Sequence, residues 1–347
     1  MFNTQFVVSF ALLLSFPLLF LFIPCILSPK HVQISLPDEL DDLALFRRAT
    51  LASLDRGSSA APTSKPKIAF LLLTNTDLHF APLWELFFRN NENLYNIYVH
   101  ADPSSTVTPP GGVFAGRFIA AKKTQRASPT LISAARRLLA TALLDDPSNA
   151  YFALVSQHCI PLHSFRYMYD HLFRRPVSRP RLPAPSPLHR SFIEISSEKP
   201  QLWERYIARG KNVMVPEVPY NRFRAGSQFF VLTRQHAQVV VRDRRLWRKF
   251  KLPCHNLNSC YPEEHYFPTL LSMEDPDGCT GYTLTRVNWT GSVGGHPHSY
   301  GPAEVSPALI QELRMSNSSF PFMFARKFSP DCLLPLLHLA QDLIFRD

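Results

Sequence analysis

The run KIAFLLLT at Lys67–Thr74 constrains the fold of this chain more than any other feature. It is almost wholly apolar. A strand of that kind must be covered on both faces, as in the middle of a sheet flanked by helices. Comparable runs follow at Tyr95–His100, Arg117–Ala121, Tyr151–Ser156, Phe192–Ile195, Gln228–Thr233 and Tyr282–Asn288. Helical patterns lie between several of them. Ser128 is a natural N-cap, and Pro129 suits the first helical position. Leu131, Leu138, Leu139 and Leu143 then share one face until Pro147. Strands alternating with helices predict an α/β fold with a mostly parallel central sheet. Ligands of such sheets sit at the carboxyl ends of the strands. His100-Ala101-Asp102 and Ser156-Gln157-His158 stand at two such ends.

Composition removes several chemistries. Only 12 of 347 residues are glycine, while 31 are proline. There is no G-x-G-x-x-G, no G-x-x-x-x-G-K-[ST] and no G-x-S-x-G, so dinucleotide, P-loop and nucleophile-elbow sites lack their backbone devices. H-E-x-x-H and C-x-x-C are also missing, which leaves the common zinc signatures unrepresented.

The N-terminal part gives an address. Phe6–Leu27 carries no charge and is long enough to cross a bilayer as a helix. No small-x-small cleavage site follows, so it reads as an uncleaved signal anchor. Residues 28–66 read as a flexible stem, with Ser58–Pro66 rich in Ser, Ala and Pro. The folded body is expected to span residues 67–347. Two glycosylation acceptors, Asn288-Trp289-Thr290 and Asn317-Ser318-Ser319, favour a lumenal body. Cys25 lies in the apolar segment. That leaves Cys159, Cys254, Cys260, Cys279 and Cys332, of which Cys254 and Cys260 are close enough to pair; five buried thiols are the alternative. The five prolines of Pro176–Pro187 predict a long surface loop.

Candidate chemistry is scattered. Tyr261-Pro262-Glu263-Glu264-His265 puts Pro262 at a first helical position, with both carboxylates in the first turn, where the helix dipole favours their charge. Such a carboxylate can act as a general base, although acidic first turns are also common for stability alone. Asp275-Pro276-Asp277 spells the D-x-D of many metal-dependent glycosyltransferases, but Gly278 makes it a turn. The basic run Arg242–Lys251 is interrupted by Trp247 and Phe250 at helical spacing, so it reads as an anchored helix face. Arg326 and Lys327 could neutralise a diphosphate leaving group. His296-Pro297-His298 could hold a phosphate or a metal.

Seven ordered blocks resemble one family. They are YNIYVHADPSS from Tyr95, RASPTLISAARRLLATAL from Arg126, YFALVSQHCIPLHSF from Tyr151, GSQFFVLTRQHA from Gly226, CYPEEHYFPTLLSMED from Cys260, TRVNWT from Thr285 and FARKFSPDC from Phe324. The chain resembles the Core-2/I-branching β-1,6-N-acetylglucosaminyltransferase-like family, glycosyltransferase family 14, and within it the plant branch. The resemblance implies a GT-A-like fold, a type II Golgi membrane protein, and inverting transfer from a UDP-sugar with no obligatory metal or other cofactor. It implies Glu264 as catalytic base, Asp102 facing the nucleotide, and Lys327 on the diphosphate; the arginine that accompanies this lysine in the animal enzymes has no matching position, and Arg326 and Arg314 stand in for it by proximity alone. It also implies Trp289 near the acceptor, with Glu194 and Lys199 as sugar-binding charges. Partners would be a UDP-sugar carrying N-acetylglucosamine, glucuronic acid or xylose, and a glycan or glycoprotein acceptor. The alternative is a catalytically silent lumenal lectin or scaffold on the same fold. A nucleic-acid binder would need a cytosolic or nuclear address, which the apolar segment and the acceptor sites oppose.

Overall fold

The computed structural model describes residues 39–55, 65–173, 189–256, 259–292 and 294–347. The expected anchor at 1–27 and the proline-rich loop at 176–187 lie outside them. Among the described residues, no helix is long and apolar enough to cross a membrane.

One unit runs from Leu40 to Asp347. It opens with α1 (Glu39–Asp55), inside the segment read as a flexible stem. This helix is part of the body. Phe46 is buried, with its ring 4.6 Å from the Arg136 guanidinium, and Asp42 pairs with Arg137. The sequence shows here only an acidic stretch; the two arginines that it packs against lie 90 to 95 residues further along the chain. Next come β1 (Lys67–Thr74), α2 (Ala81–Phe88), β2 (Tyr95–Ala101), α3 (Pro129–Asp145) and β3 (Asn149–Ser156). β4 (Ile160–Pro161), α4 (Phe165–Phe173), β5 (Ser191–Glu194), α5 (Leu202–Tyr206), β6 (Val231–Thr233), α6 (Arg234–Arg242) and α7 (Trp247–Phe250) follow. The chain ends with α8 (Tyr266–Glu274), β7 (Cys279–Gly281), β8 (Thr285–Val287), α9 (Pro307–Arg314), β9 (Phe324–Arg326) and α10 (Leu333–Leu339).

The central sheet has six strands in the order β2-β1-β3-β6-β5-β7. β1 pairs in parallel with β2 and β3, and β5 in parallel with β7. β6 alone runs against its neighbours. The sheet is therefore mostly parallel, as the apolar runs predict. β1 is buried on both faces, and Phe70 meets Trp84, Phe87 and Phe88 of α2 edge-on. α3 starts where the sequence places it: the Ser128 hydroxyl accepts the Thr130 N–H, with Pro129 at the first helical position. A smaller sheet, β4-β9-β8, brings β9 alongside β4.

Two local expectations change. Arg117–Ala121 forms only a bridge from Phe118 to Val99, because the chain merely crosses the sheet edge there. Pro262 does not open an α-helix. Residues 262–264 make one 3₁₀ turn, and α8 begins at Tyr266. In a helix, the Glu264 carbonyl would accept from residue 268, which is a proline and has no N–H. The Gly226 N–H supplies that bond instead, at 2.8 Å. The two carboxylates therefore sit in a tight turn and gain little from a helix dipole.

Candidate active site

A cleft of about 440 Å³ opens at the carboxyl edge of the parallel strands. Its floor comes from the ends of β1 and β3, with Thr74, Asn75, Ser156 and His158 among the lining residues. β6 runs the other way, so the loop that precedes it, with Gln228 and Phe229, reaches the same edge. The 3₁₀ turn adds Glu263 and Glu264, the end of β9 adds Arg326 and Lys327, and the loop after β8 adds Trp289 and His296.

The Glu264 turn is fixed from several sides. Its backbone N–H reaches the Tyr261 carbonyl at 3.0 Å, and its carbonyl takes the Gly226 N–H. Any Cβ at Gly226 would collide with the Glu194 backbone carbonyl, so glycine is required for this approach. Glu264 Oε2 accepts from Arg205 Nη1 at 2.6 Å, while the Arg205 guanidinium lies 5.1 Å from the centre of the Tyr261 ring. Behind it, His265 is fully buried, stacked on Phe223, and donates from Nδ1 to the Arg224 carbonyl. Burial depresses its pKa to about 3, so it is a neutral prop. Glu263 is only 4% exposed. Burial raises its pKa to about 7, although Oε1 accepts the Ala127 N–H at 3.1 Å.

The same cleft is also lined by cations, Arg126, Arg326 and Lys327. The Arg326 guanidinium lies 4.3 Å from the centre of the Phe229 ring. His158 donates from Nδ1 to the Phe328 carbonyl, and burial, followed by the charges of Lys327 and Arg326, lowers its pKa to about 4. Arg126 Nη1 donates to His296 Nε2 at 2.7 Å. A guanidinium only donates, so that nitrogen is the acceptor and the ring is neutral.

The cleft thus unites Glu264, Arg326, Lys327 and Trp289; the last is 51% exposed, with its ring available to a ligand. Asp102 lies behind the wall. Ser104 and Thr124 each give one backbone and one hydroxyl hydrogen bond to its carboxylate. Burial alone would raise its pKa, but these four bonds hold it at about 2. Its reach to the cleft is through Thr124, which lines it. Glu194 and Lys199 pair with each other at 2.9 Å and do not line the cleft, although the Glu194 carbonyl packs against Gly226. Arg314 is turned away: it donates to the carbonyls of Leu162, Leu343 and Ile344. It is therefore not the companion of Lys327. Arg126 and Arg205 were not singled out from sequence; both stand beside Tyr261 in space yet far from it along the chain.

Elsewhere, Asp275-Pro276-Asp277 is a turn, with Asp275 Oδ1 accepting the Gly278 N–H and Oδ2 bonded to His236. Trp247 and Phe250 are buried beneath the basic run, whose Arg248 and Lys249 face Glu217. Cys254 and Cys260 are bonded, and Cys159, Cys279 and Cys332 are buried free thiols. Among the described residues, no three His, Cys, Asp or Glu side chains gather as a metal site.

A carboxylate and a group of cations lining one cleft have between them the means to take a proton and to stabilise a leaving anion. A rice (Oryza sativa subsp. japonica) protein named glycosyltransferase BC10 is 28% identical over 330 residues, covering 80% of this chain and 78% of its own. The sequence model of the Core-2/I-branching enzyme family matches residues 68–314, and the chain belongs to that family of glycosyltransferases.

Proposed function

We propose that this protein is an inverting, UDP-sugar-dependent transferase of the Golgi lumen, held by its N-terminal apolar segment. The observation that carries the reading is the shared cleft of Glu264, Lys327 and Arg326. In the reaction, Glu264 takes the proton of an acceptor hydroxyl. That oxygen forms its bond to the anomeric carbon while the bond from that carbon to the diphosphate oxygen breaks on the opposite face. The leaving UDP takes the electron pair, and Lys327 with its neighbouring cations meets the charge. Trp289 offers its exposed ring to the acceptor sugar. Arg205 fixes the orientation of the base. The cations, rather than a resident metal, carry the diphosphate in this reading. Donors bearing N-acetylglucosamine, glucuronic acid or xylose suit it, with a glycan or glycoprotein as acceptor.

The test is a Glu264→Gln variant assayed with a panel of UDP-sugars, in the presence and absence of EDTA. Transfer should fall by roughly 10²–10⁴-fold, with UDP binding unchanged and EDTA without effect. Near-normal turnover in the variant would remove Glu264 from the role. Folded protein that binds no nucleotide would favour the silent lectin instead.

A further inference from the structure

The basic run Arg242–Lys251 takes no part in lining the cleft. Its apolar members turn inward: Leu246, Trp247 and Phe250 are buried, the two rings against Tyr266 of α8. The cations therefore turn outward. Arg242, Arg244, Arg245 and Arg248 are exposed, with Lys249 and Lys251 half-buried beside them. The acidic residue of the run, Asp243, is committed elsewhere. Its carboxylate accepts the N–H groups of Leu246 and Trp247 and the Tyr266 hydroxyl.

Two more guanidiniums lie beneath the run. Arg136 donates to the carbonyls of Val240, Val241 and Asp243, and Arg209 to those of Phe250 and Leu252. Both are buried, and among the described residues neither forms an ion pair. α1 adds to the same side. Its Phe46 ring and the Trp247 ring both lie by the Arg136 guanidinium, at 4.6 and 5.2 Å, and the exposed Arg47 and Arg48 follow Phe46 directly. Against these cations stand Glu274, paired with Arg245, and Glu217, shared by Arg248 and Lys249. Among the described residues no carboxylate pairs with Arg242 or Arg244. Like charges gathered this way repel one another, and a polyanion relieves that repulsion.

The make-up of the face selects among polyanions. A bilayer surface takes up aromatic and aliphatic side chains among its headgroups; here the rings of the run are buried. Four of its six cations are arginines, whose planar fork matches a carboxylate bidentately. A hydrated chain of uronic acids presents such carboxylates in series. We propose that this face binds an acidic glycan through its uronic acid carboxylates and holds it beside the cleft as part of the acceptor. The run packs on Tyr266, two residues past Glu264, so the face and the base share one scaffold. The acceptor role rests on the transferase reading above; the binding itself does not.

Calorimetric titration of polygalacturonate into the purified full-length chain tests it, with the fully methyl-esterified polymer as the uncharged counterpart. One variant combines Arg244→Gln, Arg245→Gln and Arg248→Gln; a second, Lys327→Gln, removes a cation of the cleft instead. Polygalacturonate should bind wild type and Lys327→Gln alike, and the triple variant roughly tenfold or more weakly at an unchanged melting temperature. Affinity should fall as salt rises, less steeply in the triple variant. The esterified polymer should not bind. Equal affinity in wild type and the triple variant, a loss confined to Lys327→Gln, or equal binding of the esterified polymer would overturn the assignment. So would binding to vesicles of phosphatidylserine and phosphatidylcholine in place of polygalacturonate, which would make the face a lipid surface. If the binding pattern holds and sugar passes to neutral acceptors alone, the acceptor role is overturned. If the pattern holds and no UDP-sugar supports transfer to any acceptor, the face stands while the transferase reading falls.

Discussion

Arg205 Nη1 lies 2.6 Å from Glu264 Oε2, and no other described residue donates a hydrogen bond to that carboxylate. The arginine reaches it from α5, fifty-nine residues earlier in the chain, and braces against the Tyr261 ring. Under the proposed function this contact aims the base, and it adds little to the fold, because a partly exposed ion pair contributes little stability. Arg205→Gln should melt within about 2 °C of wild type yet lose roughly ten- to a hundredfold in kcat, the scale of a misplaced catalytic group. A large fall in melting temperature with intact kcat would reverse that assignment.

Glu263 makes stability depend on pH. Burial raises its pKa from an ordinary 4.5 to about 7, with Glu264 adding to the rise and Arg126 opposing it. A group protonated more readily when folded stabilises the fold fully below pH 4.5 and loses that contribution as pH rises through about 7. The stake is on the order of 3 kcal/mol. Urea unfolding at several pH values should show stability declining over that window. Glu263→Gln should flatten the decline, and an equally steep curve in the variant would locate the effect elsewhere.

A fragment beginning at Lys67 should be markedly less stable than one beginning at Ser28. Truncation removes α1, uncovers the Phe46 face of the buried Arg136 and leaves Arg137 without Asp42. Losing one partner of a buried pair together with a buried phenylalanine amounts to several kcal/mol. Differential scanning calorimetry should show a drop on the order of 5–10 °C. Coincident transitions would mean that α1 is dispensable.

The two glycosylation acceptors should differ in occupancy. Asn317 is exposed. Asn288 is half-buried, and its amide oxygen accepts the Thr290 N–H at 2.9 Å. Glycopeptide mass spectrometry on protein made through a secretory pathway should find glycan on Asn317 and little on Asn288. A fully occupied Asn288 would contradict this and would set a glycan beside Trp289.

The fold was legible where a signal is local. KIAFLLLT announces a central strand because both its faces need apolar cover, and Ser128-Pro129 announces a helix start because cap and ring act within one turn. Arg117–Ala121 has the composition of a strand, but only Phe118 bridges to a neighbour, and pairing partners are not written in a single segment. The 3₁₀ turn at Pro262 could have been read from Pro268, whose missing N–H breaks the helix ladder at Glu264. In the site, Glu264 and Lys327 are visible through their motifs. Arg126 and Arg205 are not, since their meaning comes from the Tyr261 ring and the His296 loop, which the fold brings to them. The acidic stretch that became α1 likewise takes its order from Arg136 and Arg137.

The Cys254–Cys260 bridge ends immediately before Tyr261, so the covalent link and the turn bearing Glu264 form one mechanical unit. This has a practical side for anyone making the protein. Material produced in a reducing bacterial cytoplasm would carry the base on a turn whose approach is untethered, while its distant core of β1 and α2 packs as before. Such a preparation could look folded by circular dichroism and still perform poorly. A thiol titration under denaturing conditions, which separates bridged from unbridged protein, belongs before any activity assay, because an inactive unbridged sample reports the oxidation state of one loop rather than the competence of the protein.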